Sequence, residues 1–542
     1  MCTPYPVALE QATITSFQHR SVRSPKPPLF VWVPTAAISL VMLLPLTYLV
    51  VRTASAGTGA WGLIFNASTA AILARSIILV TLVTLVSVVI GVSIAWLTTR
   101  ADIPLRRWFT VLSALPLVIP SYVFALMVVT TLGPKGTLQG LLEPLGVDRM
   151  PSIFGLPGAV FTLSLLSYPY VMLPVRAALN RLDPAMEEAS RGLGRGAWGT
   201  LWRVTLPMVR PGIIAGALLV ALYTLSDFGA VSLLRYQTFT FAIFLQFESA
   251  LDVSIAAALS LVLVVLAVIL LALEFWKRGQ GRYYRTTPGS ARQSHLVNLG
   301  RWRWPLAGLV GMIVLLALVV PMATLIFWVA RGVMAGESFT NLWPAFIGTL
   351  GVSFAAALVA ALLGIPIAIL SVRFPSRTSA VLERLTFIGF ALPGVPVALA
   401  FVFFCTALAR PIYQTTYLLV LAYVVLFLPA AVGAIQVSLR QVSPRIEEAA
   451  RSLGKSSLQA FISVTLPLLS RGVAAGAALV FLLSMKELPA TLILAPIGFG
   501  TLATSVWGAA SEAFYARAAM PALFLVVTAS VPMAIIVIRE RR

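Results

Sequence analysis

Two short acidic words stand out in a chain that is otherwise apolar. "EEASRGLG" occupies 187–194 and "EEAARSLG" occupies 447–454, the same at six of eight positions and 260 residues apart. At the same spacing, Asp227 corresponds to Glu487, and Lys486 stands beside the second acid. Each of these groups suggests a chemistry. Glu187, Glu188, Glu447 and Glu448 can accept charge-assisted hydrogen bonds from cationic groups. Asp227, Lys486 and Glu487 fall inside long apolar runs, where a charge is costly and marks either a pathway or an internal ion pair. Other chemistries find no support. The two cysteines, Cys2 and Cys405, are too differently placed to form a disulfide, and no Cys or His spacing with His19 or His295 suggests a zinc site. No G-x-x-x-x-G-K-[ST] occurs, and "GPKGT" at 133–137 has the wrong spacing. A membrane-embedded enzyme has too few intramembrane acids and no His/Cys/Ser constellation.

The elements that must position these residues follow from composition. Hydrophobic residues make up 59% of the chain and charged residues 11%, with mean hydropathy +0.95, against about 25% charged in an ordinary soluble domain. The solvent for most of this surface is lipid, and spans crossing lipid must be helices. Twelve apolar runs are long enough: 30–51, 72–97, 109–132, 154–176, 212–234 and 253–276, then 305–330, 345–371, 385–409, 412–437, 472–496 and 518–538. The first is expected to be retained as a helix, not removed as a signal peptide.

The net charge of +21 could suggest nucleic acid. With the N-terminus placed in the cytoplasm, however, 30 of the 39 Lys and Arg residues fall in cytoplasmic segments and 8 outside, Lys486 being within a span. This is the positive-inside pattern of a multi-pass plasma-membrane protein with both termini cytoplasmic. The partner surface implied by the charge is lipid, and no nucleic acid is expected.

The repeat extends well beyond the acidic words. "VTLP" recurs at 204–207 and 464–467, and Pro169 falls over Pro429. Upstream, Gly91 and Arg100 align with Gly364 and Arg373 at offset 273, and "ALP" at 114–116 aligns with "ALP" at 391–393 at offset 277, so the first half carries an extra stretch within 133–155. Six spans per half give both halves one orientation, a parallel repeat. The expected organisation is a tail at 1–29, a first repeat at 30–276 with core 72–276, a Gly/Ser/Arg-rich linker at 277–304, a second repeat at 305–538 with core 345–538, and a C-terminus at 539–542.

Both acidic words fall between spans four and five of their half. Asp183-Pro184 and Ser443-Pro444 are helix starts, and the early glutamates suit the helix dipole. Gly194 and Gly454 suit a left-handed terminus. A second amphipathic segment follows (Trp198, Leu201 and Trp202; Leu458, Phe461 and Ile462), and Pro207 and Pro467 are expected to break the chain before it re-enters the membrane. Two readings stay open: well-capped loops packing on their own bundle, or a matched pair of knobs for a matched pair of partners.

The spacing resembles the signature loop of permease subunits in ATP-binding-cassette importers: Glu-Ala-Ala, three residues, Gly, nine residues, an aliphatic residue, any residue, Leu-Pro. The matches are Glu188-Ala189-Ser190, Gly194, Val204 and Leu206-Pro207, then Glu448-Ala449-Ala450, Gly454, Val464 and Leu466-Pro467, with Ser190 a small-for-small departure. The resemblance implies an all-α polytopic membrane protein of about twelve helices with the type I importer permease fold. It also implies that each loop holds a coupling helix for a cytoplasmic ATPase dimer, and that ATP is used by that partner, with no cofactor bound here directly. The first span of each half resembles the family's accessory helix.

"SDFGAVSLL" at 226–234 and "KELPATLILAPIGFGTLATSVW" at 486–507 are similar to segments of fused twelve-span ferric-iron permeases. These work with a periplasmic or extracellular binding protein. Thiamine, polyamine and phosphonate importers remain alternatives, as does a secondary transporter of the major-facilitator type, which also has six plus six spans. Asp227, Lys486 and Glu487 are translocation-path candidates; the competing structural reading is that Lys486 neutralises one of the acids. No certain metal ligand set is assigned.

Overall fold

A backbone surrounded by hydrocarbon must satisfy its own hydrogen bonds, and the helices meet that demand. The computed structural model describes residues 27–55, 62, 66–134, 136–146, 150–249, 253–278 and 296–540, all of whose elements are helical apart from one isolated β-bridge between Ala101 and Val297. The tail up to residue 26, with Cys2 and His19, most of the linker, with His295, and the last two residues lie outside the described residues. Among the described residues, ten helices are long and apolar enough to cross a membrane, or twelve if each of two bent helix pairs is one span.

The first half contains α1 (Leu29–Ser55), α2 (Ala67–Arg100), α3 (Arg106–Leu112), α4 (Ser121–Leu132), α5 (Leu156–Arg181), α6 (Pro184–Gly192), α7 (Leu206–Ser226), α8 (Gly229–Leu233), α9 (Phe239–Ser249) and α10 (Val253–Arg278). The second contains α11 (Arg303–Val314), α12 (Val320–Met334), α13 (Leu342–Arg373), α14 (Arg377–Ala391), α15 (Gly394–Leu408), α16 (Thr416–Gln441), α17 (Pro444–Ser452), α18 (Leu466–Met485), α19 (Pro489–Leu494), α20 (Leu502–Ser511) and α21 (Tyr515–Glu540). A π-turn over Leu315–Val319 joins α11 to α12 within one long helix.

The structure corrects two sets of expected spans. The third span of each half is not one helix: it bends by 100° before α4 and before α15. The residue before a proline is pushed to extended backbone, and Ile119 and Leu392 adopt ψ 125 and 122 ahead of Pro120 and Pro393. The two breaks are therefore 273 residues apart, and the repeated "ALP" words lie four residues out of structural register. The fifth spans start earlier than expected and stop sooner. Trp198–Ser226 and Phe461–Met485 are continuous, and the helices break at Asp227 and at Lys486-Glu487. Pro207 and Pro467 break nothing. π-turns over Leu201–Thr205 and Phe461–Thr465 precede them, with Leu206 N–H donating to Leu201 O and Leu466 N–H to Phe461 O. The wider turn absorbs the missing proline donor.

In each half three helices pack pairwise: α2, α5 and α7, then α13, α16 and α18. Small residues permit the approach. A Cβ on Gly91 would sit 2.7 Å from Tyr168 O and 2.8 Å from Val171 Cβ, and one on Gly216 would sit 2.6 Å from Val171 Cα. The accessory helices cross over between halves. α1 packs on α13, α14 and α15 as well as on α10, and Ser39 Oγ donates to Leu382 O at 3.1 Å. The α11–α12 helix packs on α3, α4 and α21, with Thr131 and Thr324 hydroxyls 2.9 Å apart. Each half thus holds the bent span of the other.

Gly91→Val should lower the thermal midpoint of the purified chain in detergent, at a cost of about 1–3 kcal/mol from overpacking. Its repeat mate Gly364→Val should cost less, because the nearest obstacle there is the end of the Ile435 side chain, at 3.1 Å. Equal shifts would contradict the packing account.

Candidate functional site

The loop between α5 and α7 is built by local rules. Asp183 Oδ1 accepts from Ala185 N–H at 3.0 Å and Ser443 Oγ from Arg445 N–H at 3.4 Å, with Pro184 and Pro444 opening α6 and α17. At the other end Gly194 and Gly454 take φ +81 and +88. Gly194 N–H donates to Arg191 O and Arg195 N–H to Ser190 O; Gly454 and Lys455 repeat both bonds on Arg451 and Ala450. This reversal is the Schellman geometry, which favours glycine.

The two glutamates of each pair part company. Glu188 and Glu448 are exposed. Glu187 is buried: it accepts from Thr205 Oγ1 at 2.9 Å and lies 3.6 Å from Arg100 Nε at the end of α2. Arg100 also donates to Leu179 O at 2.9 Å. The second half builds a similar set, with Thr465 and Arg373 2.8 and 3.5 Å from Glu447 Oε1, but Arg373 donates to Val442 O at 2.9 Å, the mate of Leu182 and not of Leu179. Glu187 and Glu447, read from the sequence as acceptors for cationic groups, thus find their cations within this chain. Glu187 and Glu447 tie the short helix to the bundle, because a carboxylate packed against α2 or α13 finds its cation there. Ser190 is also more than a small residue: its Oγ lies 3.1 Å from Thr200 Oγ1, both buried. The equivalent residues in the second half are Ala450 and Ala460, so one contact is polar in one copy and apolar in the other.

The outward face is apolar. Leu193 and Leu453 are 82% and 84% exposed, and Met186 and Ile446, Trp202 and Ile462 are exposed in matched positions. Trp198 stacks on Trp96 at 6.0 Å; the side chain of Leu458 lies outside the described residues. Ala189 and Ala449 are exposed, and Leu206 and Leu466 are half-buried where the π-turns hand over to α7 and α18. Sequence reasoning passed over Leu193, Leu453, Met186 and Ile446. The signal for them was their recurrence at the 260-residue spacing.

The second site is central. A cavity of about 250 Å³ is lined from both halves by Asp227, Lys486 and Glu487, together with the break residues Pro120, Ser121 and Gly394. Each acid caps the short helix beyond its break. Asp227 Oδ1 accepts from Ala230 and Val231 N–H at 3.0 and 3.3 Å, and Glu487 Oε1 from Ala490 N–H at 3.1 Å. The longer acid is matched by a smaller neighbour: a Cβ on Gly394 would sit 2.5 Å from Glu487 Oε1, whereas its mate Ser121 interacts with Asp227. Lys486 does not neutralise either acid. Its Nζ donates to Leu117 O of the other half at 3.0 Å, and among the described residues it forms no ion pair. No group of three or more His, Cys, Asp or Glu able to hold a metal occurs among the described residues.

Removing one member of a buried ion pair leaves the other unpaired, at a cost of about 3–5 kcal/mol. Glu187→Ala should loosen the 182–206 loop, read as faster proteolysis there and a lower thermal midpoint. Glu447→Ala should do less, because its pair is more exposed, with side chains 12% and 25% accessible against 6% and 6%. Unchanged proteolysis of the Glu187 variant would contradict the anchoring role.

Residues 87–276 and 360–542 each match the family described as binding-protein-dependent transport system inner membrane component. The chain is 34% identical over 513 residues to the Fe(3+)-transport system permease protein FbpB 2 of Haemophilus influenzae, covering 94% of this chain and 98% of that one. It is 25% identical over 441 residues to the ferric transport system permease protein FbpB of Actinobacillus pleuropneumoniae, covering 78% and 64%. It is 31% identical over 202 residues to the molybdenum transport system permease protein ModB of Escherichia coli, covering 36% and 87%. With two copies of the domain in one polytopic chain, the protein belongs to the binding-protein-dependent transport system inner membrane components, the permeases of ATP-binding-cassette importers.

Proposed function

We propose that this chain is the membrane-spanning permease subunit of an ATP-driven importer of ferric iron. Its two loops face the cytoplasm and dock on a dimer of a separate ATP-binding-cassette ATPase. A periplasmic or extracellular binding protein delivers cargo at the opposite face, and both termini lie on the cytoplasmic side of the bacterial plasma membrane. The observation that carries this reading is the matched pair of apolar tips, Leu193 and Leu453, 82% and 84% exposed, on helices anchored from within by Glu187 and Glu447. A large apolar side chain held out in water by a rigid cap is suited to a pocket on a partner. Glu188 and Glu448 beside it offer acceptors to cationic groups there. The distribution of Lys and Arg supports the orientation, and the lack of a phosphate-binding loop in the sequence supports a separate ATPase.

Closure of the ATPase dimer would draw the two loops together. α7 and α18 would pass that motion to the cavity, where the broken helices meet. Asp227, Lys486 and Glu487 then lie on the translocation path. Iron as cargo is supported by the relatives that cover most of the chain, whose names give it. The cavity charge agrees: two carboxylates and one ammonium, the ammonium already spent on a carbonyl. An oxyanion, the form in which molybdenum travels in water, would be repelled there.

Replacing Leu193 and Leu453 together by Asp should abolish co-purification of the ATPase, each tip costing about 2 kcal/mol or more as an interface anchor. Uptake should fall with it, and Gly454→Val should uncouple transport at a normal membrane level. In the unaltered protein, uptake should stop on ATP depletion and survive collapse of the ion gradient. Uptake that follows the gradient, or an ATPase that still binds the doubly substituted chain, would overturn the reading.

A further inference from the structure

We propose that the corner where α3 meets the start of α11 is a binding site for the headgroup of an anionic phospholipid in the cytoplasmic leaflet. The proposal rests on the reading above only for which face is cytoplasmic. Two short words from distant parts of the chain meet there, "RRW" at 106–108 and "RWRW" at 301–304. Contacts on either side of the words hold them together. Ahead of both, Val297 N–H donates to Arg100 O at 2.8 Å, Asp102 N–H to Val297 O at 3.2 Å and Leu299 N–H to Asp102 Oδ1 at 2.9 Å. Beyond both, a Cβ on Gly311 would lie 3.8 Å from the Phe109 ring. Backbone bonds and packing therefore gather four guanidiniums and three indoles, without help from any of the seven side chains.

Nothing in the chain neutralises this cluster. The sequence has no Asp or Glu from 103 to 142 or from 275 to 336, and Asp102 gives an oxygen to Leu299 N–H. Among the described residues the four guanidiniums form no ion pair. Arg107, Arg301 and Arg303 are exposed and Arg106 is half-buried. Trp108, Trp302 and Trp304 are 59–66% exposed, and Arg303 Cζ lies 5.7 Å from the centre of the Trp304 ring. The partner must bring negative charge to the level where α11 enters the membrane as part of the Gly300–Met334 span. Indoles favour that headgroup level, guanidinium forks match phosphate, and the cytoplasmic leaflet supplies anionic lipid. The general excess of cytoplasmic positive charge does not account for the corner. The second half has the same orientation, yet the repeat mates of 106–108 are Ser379, Ala380 and Val381. A bound headgroup would staple the bent span of the first half to the accessory helix of the second. It would do so beside Arg100, which anchors Glu187.

The test uses the full chain, delipidated in detergent and titrated with phosphatidylglycerol or phosphatidylcholine under native mass spectrometry. Phosphatidylglycerol is expected to bind saturably and in preference to phosphatidylcholine. Arg106→Gln, Arg107→Gln, Arg301→Gln and Arg303→Gln together should weaken it about tenfold or more. Arg210→Gln, Arg377→Gln, Arg384→Gln and Arg471→Gln remove the same charge from exposed positions elsewhere and should leave it nearly unchanged. Inorganic phosphate should not displace the lipid. With all the arginines in place, brominated phosphatidylglycerol should quench tryptophan emission, and quench a smaller share after Trp302→Phe with Trp304→Phe. Equal loss in the two arginine sets, displacement by phosphate, quenching indifferent to the two tryptophans, or a corner variant that keeps the lipid but no longer binds the ATPase would overturn the site. A wrong orientation is read separately: Leu296→Cys would then react with an impermeant thiol reagent outside intact cells, whatever the lipid result.

Discussion

Inside hydrocarbon an unpaired backbone N–H has no solvent to turn to, so a helix can break there only where protein supplies the missing partner. Everything distinctive about the centre of this molecule follows from that constraint. The chain breaks at Pro120 and Pro393, and again at Asp227 and Glu487. At the second pair of breaks a carboxylate takes up the freed N–H groups of the short helix that follows. The acids are therefore both structural caps and the charges of the cavity, and their structural role is this capping, not the ion pair with Lys486 weighed from the sequence. One oxygen of each is spent on the fold.

The same helices join the centre to the loops. Trp198–Ser226 runs unbroken from the exposed lever to the cavity wall, about 43 Å at the usual rise, and Phe461–Met485 does the same in the second half. The π-turns before Pro207 and Pro467 make this continuity possible. The loops are bound to the rest of their half by ion pairs, buried at Arg100–Glu187 and part-buried at Arg373–Glu447. The crossed accessory helices, with Ser39 on Leu382 and Thr131 on Thr324, lock the bent span of each half into the other.

Much of this was legible in the sequence, and what was missed has physical causes. Helix caps are local, so Asp183-Pro184 and Gly194 could be read from neighbours alone. Hydropathy found the spans, and the repeat paired Asp227 with Glu487. The errors came where a local rule met a distant partner. Proline predicts a break, but a π-turn can absorb it, and nothing within reach of Pro207 announces one. Glu187 reads as a surface acid because Arg100, its partner, is 87 residues upstream, at the end of another helix. Lys486 reads as a counter-ion to its neighbours, yet the carbonyl that takes it belongs to the other half. The "ALP" words drew the register four residues off because a repeated word was weighed above the proline that turns the chain.

The central claim is mechanical: the loop and the cavity wall of each half move as one rod. Paired spin labels test it most directly, one pair at Arg203 and its repeat mate Ser463, exposed on the π-turns that precede α7 and α18, and another at Leu219 and its repeat mate Leu479 further along the same helices. Distances would be measured in nanodiscs with the ATPase bound, before and after a non-hydrolysable nucleotide is added. The account predicts that both distances change together. Levers that approach each other while the inner pair stays where it was would contradict it.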